Sequence, residues 1–144
     1  MATVQWVDHV HAALTGAGLK RSRARDRIIE LLSDQECALS AAEIEQQLRA
    51  HGGRTARATI YRTLDLLVDH GLAERVLVDS GQTRFEPVQP SGSHHHHLVC
   101  GCCGRLVAFA DPGLERAIDR LSDRLGVTVE SHEVLLRGAC DRCG

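Results

Sequence analysis

The last third of this 144-residue chain opens on His94-His95-His96-His97-Leu98-Val99-Cys100-Gly101-Cys102-Cys103 and closes on Cys140-Asp141-Arg142-Cys143. Each end carries a Cys-x-x-Cys pair, whose two-residue gap lets both sulfurs face one ion. Two such pairs can enclose one tetrahedral zinc, and a site of four thiolates without an open position is structural rather than catalytic. Cys102, between the ligands of the first pair, is interpreted as a bystander thiol. The sequence therefore predicts a domain held by zinc on Cys100, Cys103, Cys140 and Cys143.

The histidine run predicts metal positions besides the cysteine quartet. If residues 93–100 are extended, alternate side chains point to opposite faces. His94 and His96 would then serve one site, while His95 and His97 would serve another. Four consecutive residues thus predict two separate metals.

Three side chains elsewhere in the chain are candidate partners for these histidine pairs. Glu86, just before a linker, can approach His95 and His97 and so tie two parts of the chain together. Glu115 and His132 can join the other pair. Taken alone, residues such as Glu115 and His132 are more often surface groups than metal ligands, and spacing does not overturn that interpretation.

The composition is that of a soluble globular protein, with 25% charged and 43% hydrophobic residues. No apolar run approaches the ~20 residues that span a bilayer, and the N-terminus lacks the pattern of a secretory signal. These features favour a cytoplasmic location, where paired cysteines are more often metal ligands than disulfides, which remain the alternative. The net charge of −2 argues against a protein that coats nucleic acid by bulk attraction.

Helix signals extend from the N-terminus to Gly71, where glycine ends the pattern. Apolar residues recur at helical spacing, and Ser22 and Thr55 are predicted N-caps. Ser40-Ala41-Ala42-Glu43 has the pattern of a capping box, in which the serine and glutamate side chains satisfy each other's backbone donors. Several helices are therefore expected in this half of the chain.

A hairpin pattern follows these helices. Residues 74–78 and 83–86 are strand-like, and Asp79-Ser80-Gly81 between them has the pattern of a turn that needs glycine. Helices followed by a β-hairpin predict a winged helix-turn-helix. Its two-helix unit would span 40–50 and 55–70, and the second helix would be the recognition helix.

Residues 87–93 are rich in proline, glycine and serine and predict a hinge. Beyond it, strands are expected at 98–100, 105–109 and 127–136, with a helix that starts at Asp111-Pro112. The fold class is then α+β, with a winged-helix domain over 1–86 and a small α/β domain over 94–144. The small domain would have a marginal core, which a structural zinc and a dimer interface would stabilise.

Four motifs carry a resemblance to a known family: Gly18-Leu19-Lys20-Arg21-Ser22, Ala58-Thr59-Ile60-Tyr61-Arg62-Thr63-Leu64, His94–Cys100, and the two cysteine pairs. In this order and spacing they resemble the ferric uptake regulator (Fur) superfamily over nearly the whole chain. The resemblance implies a homodimeric, metal-dependent repressor that binds a palindromic operator. It implies no enzyme activity, no small-molecule substrate and no membrane.

The resemblance also implies roles for individual residues. The cysteine quartet matches the structural zinc site. The regulatory site, which would take Zn(II) or Fe(II), corresponds to Glu86, His95 and His97, with Cys37 as a candidate fourth ligand. An additional metal site corresponds to His94, His96, Glu115 and His132. The predicted DNA contacts are Lys20, Arg21, Arg25, Arg57, Thr59, Tyr61 and Arg62.

The basic stretch from Lys20 to Arg27 also has a plainer interpretation. Taken alone, such a charge run is interpreted as a solvated helix face. The resemblance favours the functional interpretation, because Lys20 and Arg25 match basic positions near the start of the DNA-binding domain. Arginine can bind phosphate or guanine, and tyrosine can contact a thymine methyl group.

The chain departs from the family pattern just before Ser40, where iron and peroxide sensors usually place a histidine. Here the residues are Cys37-Ala38, and a thiolate ligand at Cys37 would favour zinc over iron, whereas a buried thiol would not. Zinc-uptake regulators often have a cysteine after the wing, which residues 85–88 lack. Ala108 stands where peroxide sensors tend to have aspartate, so peroxide sensing is the variant least favoured. Zinc is the predicted effector and iron the alternative.

Two other classes of function remain as alternatives. A zinc metallohydrolase needs an open metal position beside a general base, and Glu133 next to His132 does not supply one, because neighbours on a strand point apart. A zinc-storage protein would bind metal without sequence-specific affinity for DNA. The predicted winged helix argues against both.

Overall fold

The computed structural model describes residues 2–35, 38–78, 81–90 and 95–144. The chain divides into two compact units, Met1–Ser93 and His94–Gly144. Within the described ranges, no helix combines the length and apolarity that crossing a membrane requires.

The first unit contains four helices, which are α1 (Ala2–Gly16), α2 (Arg23–Ser33), α3 (Ala41–Ala50) and α4 (Arg57–Asp69). Two predicted caps are confirmed. The Ser22 side chain accepts a hydrogen bond from the Arg25 N–H at 3.5 Å. At α3, Ser40 Oγ accepts from the Glu43 N–H at 3.2 Å, and Glu43 Oε2 accepts from the Ser40 N–H at 2.8 Å.

The prediction that Thr55 caps α4 is wrong. The N-cap is Ala56, which makes no side-chain cap hydrogen bond. Ala56 still has a ψ of 138°, so the helical conformation begins only at Arg57. Thr55 therefore lies one position too early for its hydroxyl to reach the first-turn amides.

A three-stranded antiparallel sheet completes the first unit, with β1 (Leu39–Ser40), β2 (Ala73–Val78) and β3 (Gln82–Pro87) in the order β1-β3-β2. The strands β2 and β3 are the predicted wing. Of the predicted turn, Asp79 and Ser80 lie outside the described residues, and Gly81 has a φ of +73°, where glycine is favoured. The two-residue β1 was not predicted, because so short a strand has no period.

The core of the first unit lies between the helices and the wing. Its largest fully buried side chain is Trp6, whose indole Nε1–H donates to the Leu72 carbonyl oxygen at 2.9 Å. The Val88 N–H donates to the same oxygen at 3.0 Å. One carbonyl thus joins α1, the start of β2 and the segment that follows β3.

The second unit contains β4 (His96–Cys100), β5 (Leu106–Phe109), α5 (Pro112–Leu125) and β6 (Leu135–Gly138). The sheet order is β5-β4-β6, in which β4 pairs antiparallel with β5 and parallel with β6. The predicted start of α5 is confirmed, since Asp111 Oδ1 accepts hydrogen bonds from the Gly113 and Leu114 N–H groups.

The predicted strand over 127–136 is mostly wrong. Residues 127–134 are not in a strand, and β6 begins at Leu135, which lies opposite His97. A parallel partner has to start at the same end of the sheet as β4, so the chain after α5 must first return to that end. Residues 127–134 make this connection. The predicted fold class is confirmed: the chain is α+β, with a winged helix followed by a small α/β unit that carries a cysteine cluster.

Candidate metal centres and nucleic-acid interface

The four predicted cysteines lie together at one end of the second sheet. Cys100 ends β4, Cys103 lies in the following turn, and Cys140 and Cys143 lie in the turn after β6. Their sulfurs all lie within 4.8 Å of one another, and Cys103 Sγ is 3.7 Å from Cys140 Sγ. A tetrahedron with Zn–S bonds of about 2.3 Å has edges of about 3.8 Å. The donor set and its spacing therefore fit one zinc ion.

The electrostatics of this cluster favour a cation at its centre. Hydrogen bonds from backbone N–H groups, above all that of Cys103, lower the pKa of Cys100 to about 6. The Arg142 N–H is the main cause that lowers the pKa of Cys140. The pKa of Cys143 is raised, first by the Cys102 thiol and then by Cys103 and Cys140. The backbone thus stabilises some thiolates, while crowding opposes a full set until a divalent ion neutralises them.

A second group joins β4, α5 and the connection before β6. His96 is fully buried, and its Nε2 lies 2.6 Å from Glu115 Oε1. His132 Nε2 lies 2.8 Å from Glu115 Oε2. Three of the four residues predicted for the additional metal site are therefore brought together, and the fourth, His94, lies outside the described residues.

The hydrogen bonds of His96 define its state in this structure. The Val134 N–H donates to Nδ1 at 3.3 Å, so Nε2 carries the proton that is shared with Glu115. This contact is the first cause that lowers the pKa of Glu115. Two imidazoles and one carboxylate are a donor set that fits zinc or ferrous iron. A metal on Nε2 would take the place of the shared proton.

The histidines predicted for the regulatory site lie at the start of the same strand. His97 is buried, and its ring centroid lies 5.1 Å from that of His95, with the planes at 71°. Glu86 belongs to the first unit, where it lies on β3 opposite Glu74. Cys37 lies outside the described residues. The grouping of all four around one metal stays a prediction.

The predicted DNA contacts lie on α4 and at the start of α2. Tyr61 has 49% of its surface exposed, and Arg62 beside it is also exposed. Arg25, Thr59 and Arg62 line one cleft of about 270 Å³ between the two helices. Two elements that are far apart in sequence thus contribute to one surface.

The remaining predicted DNA contacts are exposed, and some take part in ion pairs. Lys20 is exposed, and its carbonyl accepts a hydrogen bond from Arg25 Nη1 at 3.0 Å. Arg21 Nη2 lies 3.0 Å from Asp26 Oδ2. Arg57 Nε lies 2.9 Å from Glu45 Oε2, a contact that the sequence interpretation missed. The sequence holds no signal for it, because the two residues are twelve positions apart and lie on different helices.

Comparisons with known proteins agree with this arrangement. The Ferric uptake regulator family model matches residues 16–137. A ferric uptake regulation protein of Vibrio anguillarum is 35% identical over 130 residues, which cover 89% of this chain and 85% of that protein. The structure of the Vibrio cholerae ferric uptake regulator superposes with a TM-score of 0.78 at 34% identity, over 90% of this chain and 98% of that one. FurB from M. tuberculosis, a zinc uptake regulator, gives a TM-score of 0.51 at 30% identity, over 90% and 99%.

The relatives of this chain are thus metal regulators, which agrees with its winged helix, its cysteine cluster and its His/Glu group. The family consists of DNA-binding transcription regulators and not of enzymes, and its structures are typically homodimers that bind zinc, iron or manganese. The chain belongs to the ferric uptake regulator family of metal-dependent transcriptional repressors.

Proposed function

We propose that this chain is a zinc-responsive repressor that acts in the cytoplasm as a homodimer and binds a palindromic operator when its regulatory site is filled. The observation that carries the proposal is the His96–Glu115–His132 group, a second metal-capable set that is separate from the four thiolates. Four thiolates complete the coordination of a structural zinc, so a response to metal has to come from other ligands. The His96–Glu115–His132 group supports the presence of histidine and carboxylate metal sites in this chain besides the cysteine cluster.

The regulatory response would depend on Glu86, His95 and His97, with Cys37 as the fourth candidate. Glu86 belongs to the first unit and the two histidines to the second, so a metal shared by them would favour one arrangement of the two units. A bound divalent ion supplies the charge that holds these donors together. A coupling of about 1–3 kcal/mol between metal and operator is typical of such switches.

Operator binding would use α4 as the recognition helix. Tyr61 and Arg62 are exposed on it, and Arg25 lines the same cleft as Arg62. Tyrosine can contact a thymine methyl group, and arginine can bind guanine or phosphate. A dimer would present two such helices to half-sites one helical turn apart, which is the reason to expect a palindrome.

The homodimer is supported by the apolar surface of the second unit. No residue of α5 is buried within one chain. The exposed large apolar side chains of this unit are Leu121, Leu125, Val127, Val129 and Leu136. A second copy would cover them, which light scattering on the zinc-loaded protein can test. A monomer at micromolar concentration would contradict the dimer.

Zinc is preferred over iron on the chemistry of the donors. Imidazole ligands suit both metals, whereas a thiolate ligand favours zinc. A thiolate at Cys37 would therefore give the regulatory site a preference for zinc. The similarity to FurB, a zinc uptake regulator, supports the same metal.

Iron is the second candidate, and one observation favours it. Ferric uptake regulation proteins of Vibrio anguillarum and Escherichia coli are 35% and 31% identical to this chain. Glu86 and Glu115 are oxygen donors, which suit ferrous iron as well as zinc. The two candidates differ only in the effector and share the DNA-binding surface.

Fluorescence anisotropy on DNA from the protein's own promoter distinguishes the candidates. Zn(II), anaerobic Fe(II) and Mn(II) are each titrated at buffered free concentration. Zinc should tighten operator binding at the lowest free concentration, with iron ineffective. Tightening by micromolar iron alone would make the protein an iron regulator, and binding that ignores all three metals would reject metal control.

A further inference from the structure

One carboxylate on α3 connects two arginines beside the recognition helix. Glu45 Oε1 lies 3.0 Å from Arg49 Nη2, and Glu45 Oε2 lies 2.9 Å from Arg57 Nε. Arg49 is in the last turn of α3, whereas Arg57 is the first residue of α4. The two oxygens of one side chain therefore hold one arginine from each helix of the helix-turn-helix.

The three side chains differ in exposure. Only 18% of the Glu45 side chain is exposed, compared with 74% for Arg49 and 69% for Arg57. Each guanidinium has several N–H donors, and the contact with Glu45 engages one of them on each arginine. The glutamate side chain is thus mostly buried, whereas both arginine side chains are mostly exposed to solvent.

A cleft adjoins this network. Its volume is about 510 Å³, and its lining includes Glu45, Arg49, Arg54 and Thr55. Arg54, in the turn between the helices, adds another exposed cation. The network and the adjoining cleft together hold three arginines (Arg49, Arg54 and Arg57) and one glutamate. Their summed charge is therefore positive, although the whole chain carries a net charge of −2.

We propose that Arg49 and Arg57 form a clamp for a backbone phosphate of DNA, and that Glu45 is the residue that positions both guanidinium groups for it. Arginine binds phosphate through paired N–H groups, so the orientation of its plane determines the strength of the contact. Arg57 lies one helical turn before Tyr61 on α4. The clamp would therefore fix the position of the recognition helix along the groove, as phosphate contacts do, while Tyr61 and Arg62 read bases. This inference rests on the proposed function and adds residues to its DNA-binding surface.

Because Glu45 is negatively charged, the proposal can be tested by whether its replacement weakens or tightens DNA binding. A carboxylate near DNA repels phosphate, so its removal should tighten binding if charge alone matters. A positioning carboxylate does the opposite, because its loss lets two long side chains sample other rotamers. Glu45→Gln should therefore weaken DNA binding even though the protein becomes less negative.

The experiment measures affinity of the zinc-loaded full chain for random-sequence duplex DNA at several salt concentrations. Phosphate contacts do not depend on sequence, and each lost contact should lower the salt dependence of binding by about one unit in slope. We expect Glu45→Gln to bind about three- to tenfold more weakly with a reduced slope. Arg57→Ala should reduce the slope at least as much. Glu30→Gln, which removes an exposed carboxylate from α2, is the matched control and should bind equally or slightly more tightly.

Each other outcome overturns the proposal. Equal or tighter binding by Glu45→Gln would mean that the carboxylate only neutralises its neighbours. Weaker binding with an unchanged slope and a lower melting temperature would mean that Glu45 supports the fold alone. The promoter titration tests metal control, whereas binding to random-sequence DNA tests the clamp. The clamp can therefore be supported or refuted even if metal control fails.

Discussion

The two units of the chain differ in what holds them together. The first unit buries a continuous core of large apolar side chains, among them Trp6, Ile28, Ile60 and Leu64. Among the described residues of the second unit, the buried apolar side chains are few, with Val99 on the central strand β4 and Leu106 on the edge strand β5. The other buried residues described there are histidines and cysteines. The first unit is stabilised by apolar burial, whereas we expect the second to depend on metal and on a partner surface.

Two amphipathic helices make this difference concrete. In α2, Ile28, Ile29 and Leu32 are buried within the same chain. In α5 the apolar residues at helical spacing find no comparable cover. A unit of about 50 residues has a marginal core of its own, so we expect its folding to be coupled to the binding of metal and of a second copy.

The largest expected effect is the loss of a cysteine ligand. Cys140→Ser should remove the structural zinc and unfold the second unit, because metal binding supplies about 10 kcal/mol or more to such small domains. Zinc content, light scattering and far-UV circular dichroism would record loss of metal, a monomer and a partly unfolded chain. Cys102→Ser is the matched control, since Cys102 is exposed and outside the quartet, and it should retain zinc. A stable, zinc-loaded Cys140→Ser dimer would refute the assignment of the quartet.

A core substitution should destabilise the first unit and leave the zinc site of the second unit intact. Leu64 is fully buried on α4, and Leu64→Ala should lower the free energy of unfolding of the first unit by about 3 kcal/mol. The zinc content should not change, because the cysteines belong to the second unit. Val4→Ala, at an exposed apolar position on α1, should change the stability by less than ~0.5 kcal/mol. Denaturant unfolding measures both, and loss of zinc from Leu64→Ala would show that the units do not fold independently.

A regulatory substitution should leave both units folded. His95→Ala should give a zinc-loaded dimer whose operator affinity no longer responds to added metal, a loss of about 1–3 kcal/mol of coupling. The promoter titration measures this response. His9→Ala, which removes an exposed histidine from α1, should respond as the wild type does. A normal metal response in His95→Ala would remove His95 from the regulatory site.

The smallest expected effect separates two candidate caps in the first unit. Ser40→Ala breaks the capping box of α3 and should cost about 1 kcal/mol of stability. Thr55→Ala should cost much less, because Thr55 does not cap α4. Thermal unfolding of both variants tests the pair, and an equal loss in the two would contradict the cap geometry.

The features that the sequence predicts well are local. The caps at Ser22, Ser40 and Asp111 need only residues within one turn, and the cysteine spacing reflects the geometry of one ion. The prediction of a strand over 127–136 was mostly wrong, because the sheet and not local preference determines where the chain begins to pair with β4. The prediction that Thr55 caps α4 was wrong because Ala56 is still extended and the helix begins one residue later.

The sites follow the same rule. Alternation along β4 separates His96 from His97, as the strand period predicts. Glu115 and His132 could be placed beside His96 only through the family resemblance, because α5 and a crossover connection bring them there. The contact between Glu45 and Arg57 spans a turn of irregular structure, and no periodic pattern indicates it.

The hydrogen bond from Trp6 to the Leu72 carbonyl gives the protein a built-in optical reporter. Trp6 is the only tryptophan of the chain, and its indole is fully buried in the first unit. Its emission should shift to longer wavelength only when that unit opens and water reaches the ring. Removal of zinc by a chelator, which acts on the second unit, should leave the emission wavelength unchanged while the circular dichroism falls. The intrinsic fluorescence can therefore time the opening of one half of the molecule without a label.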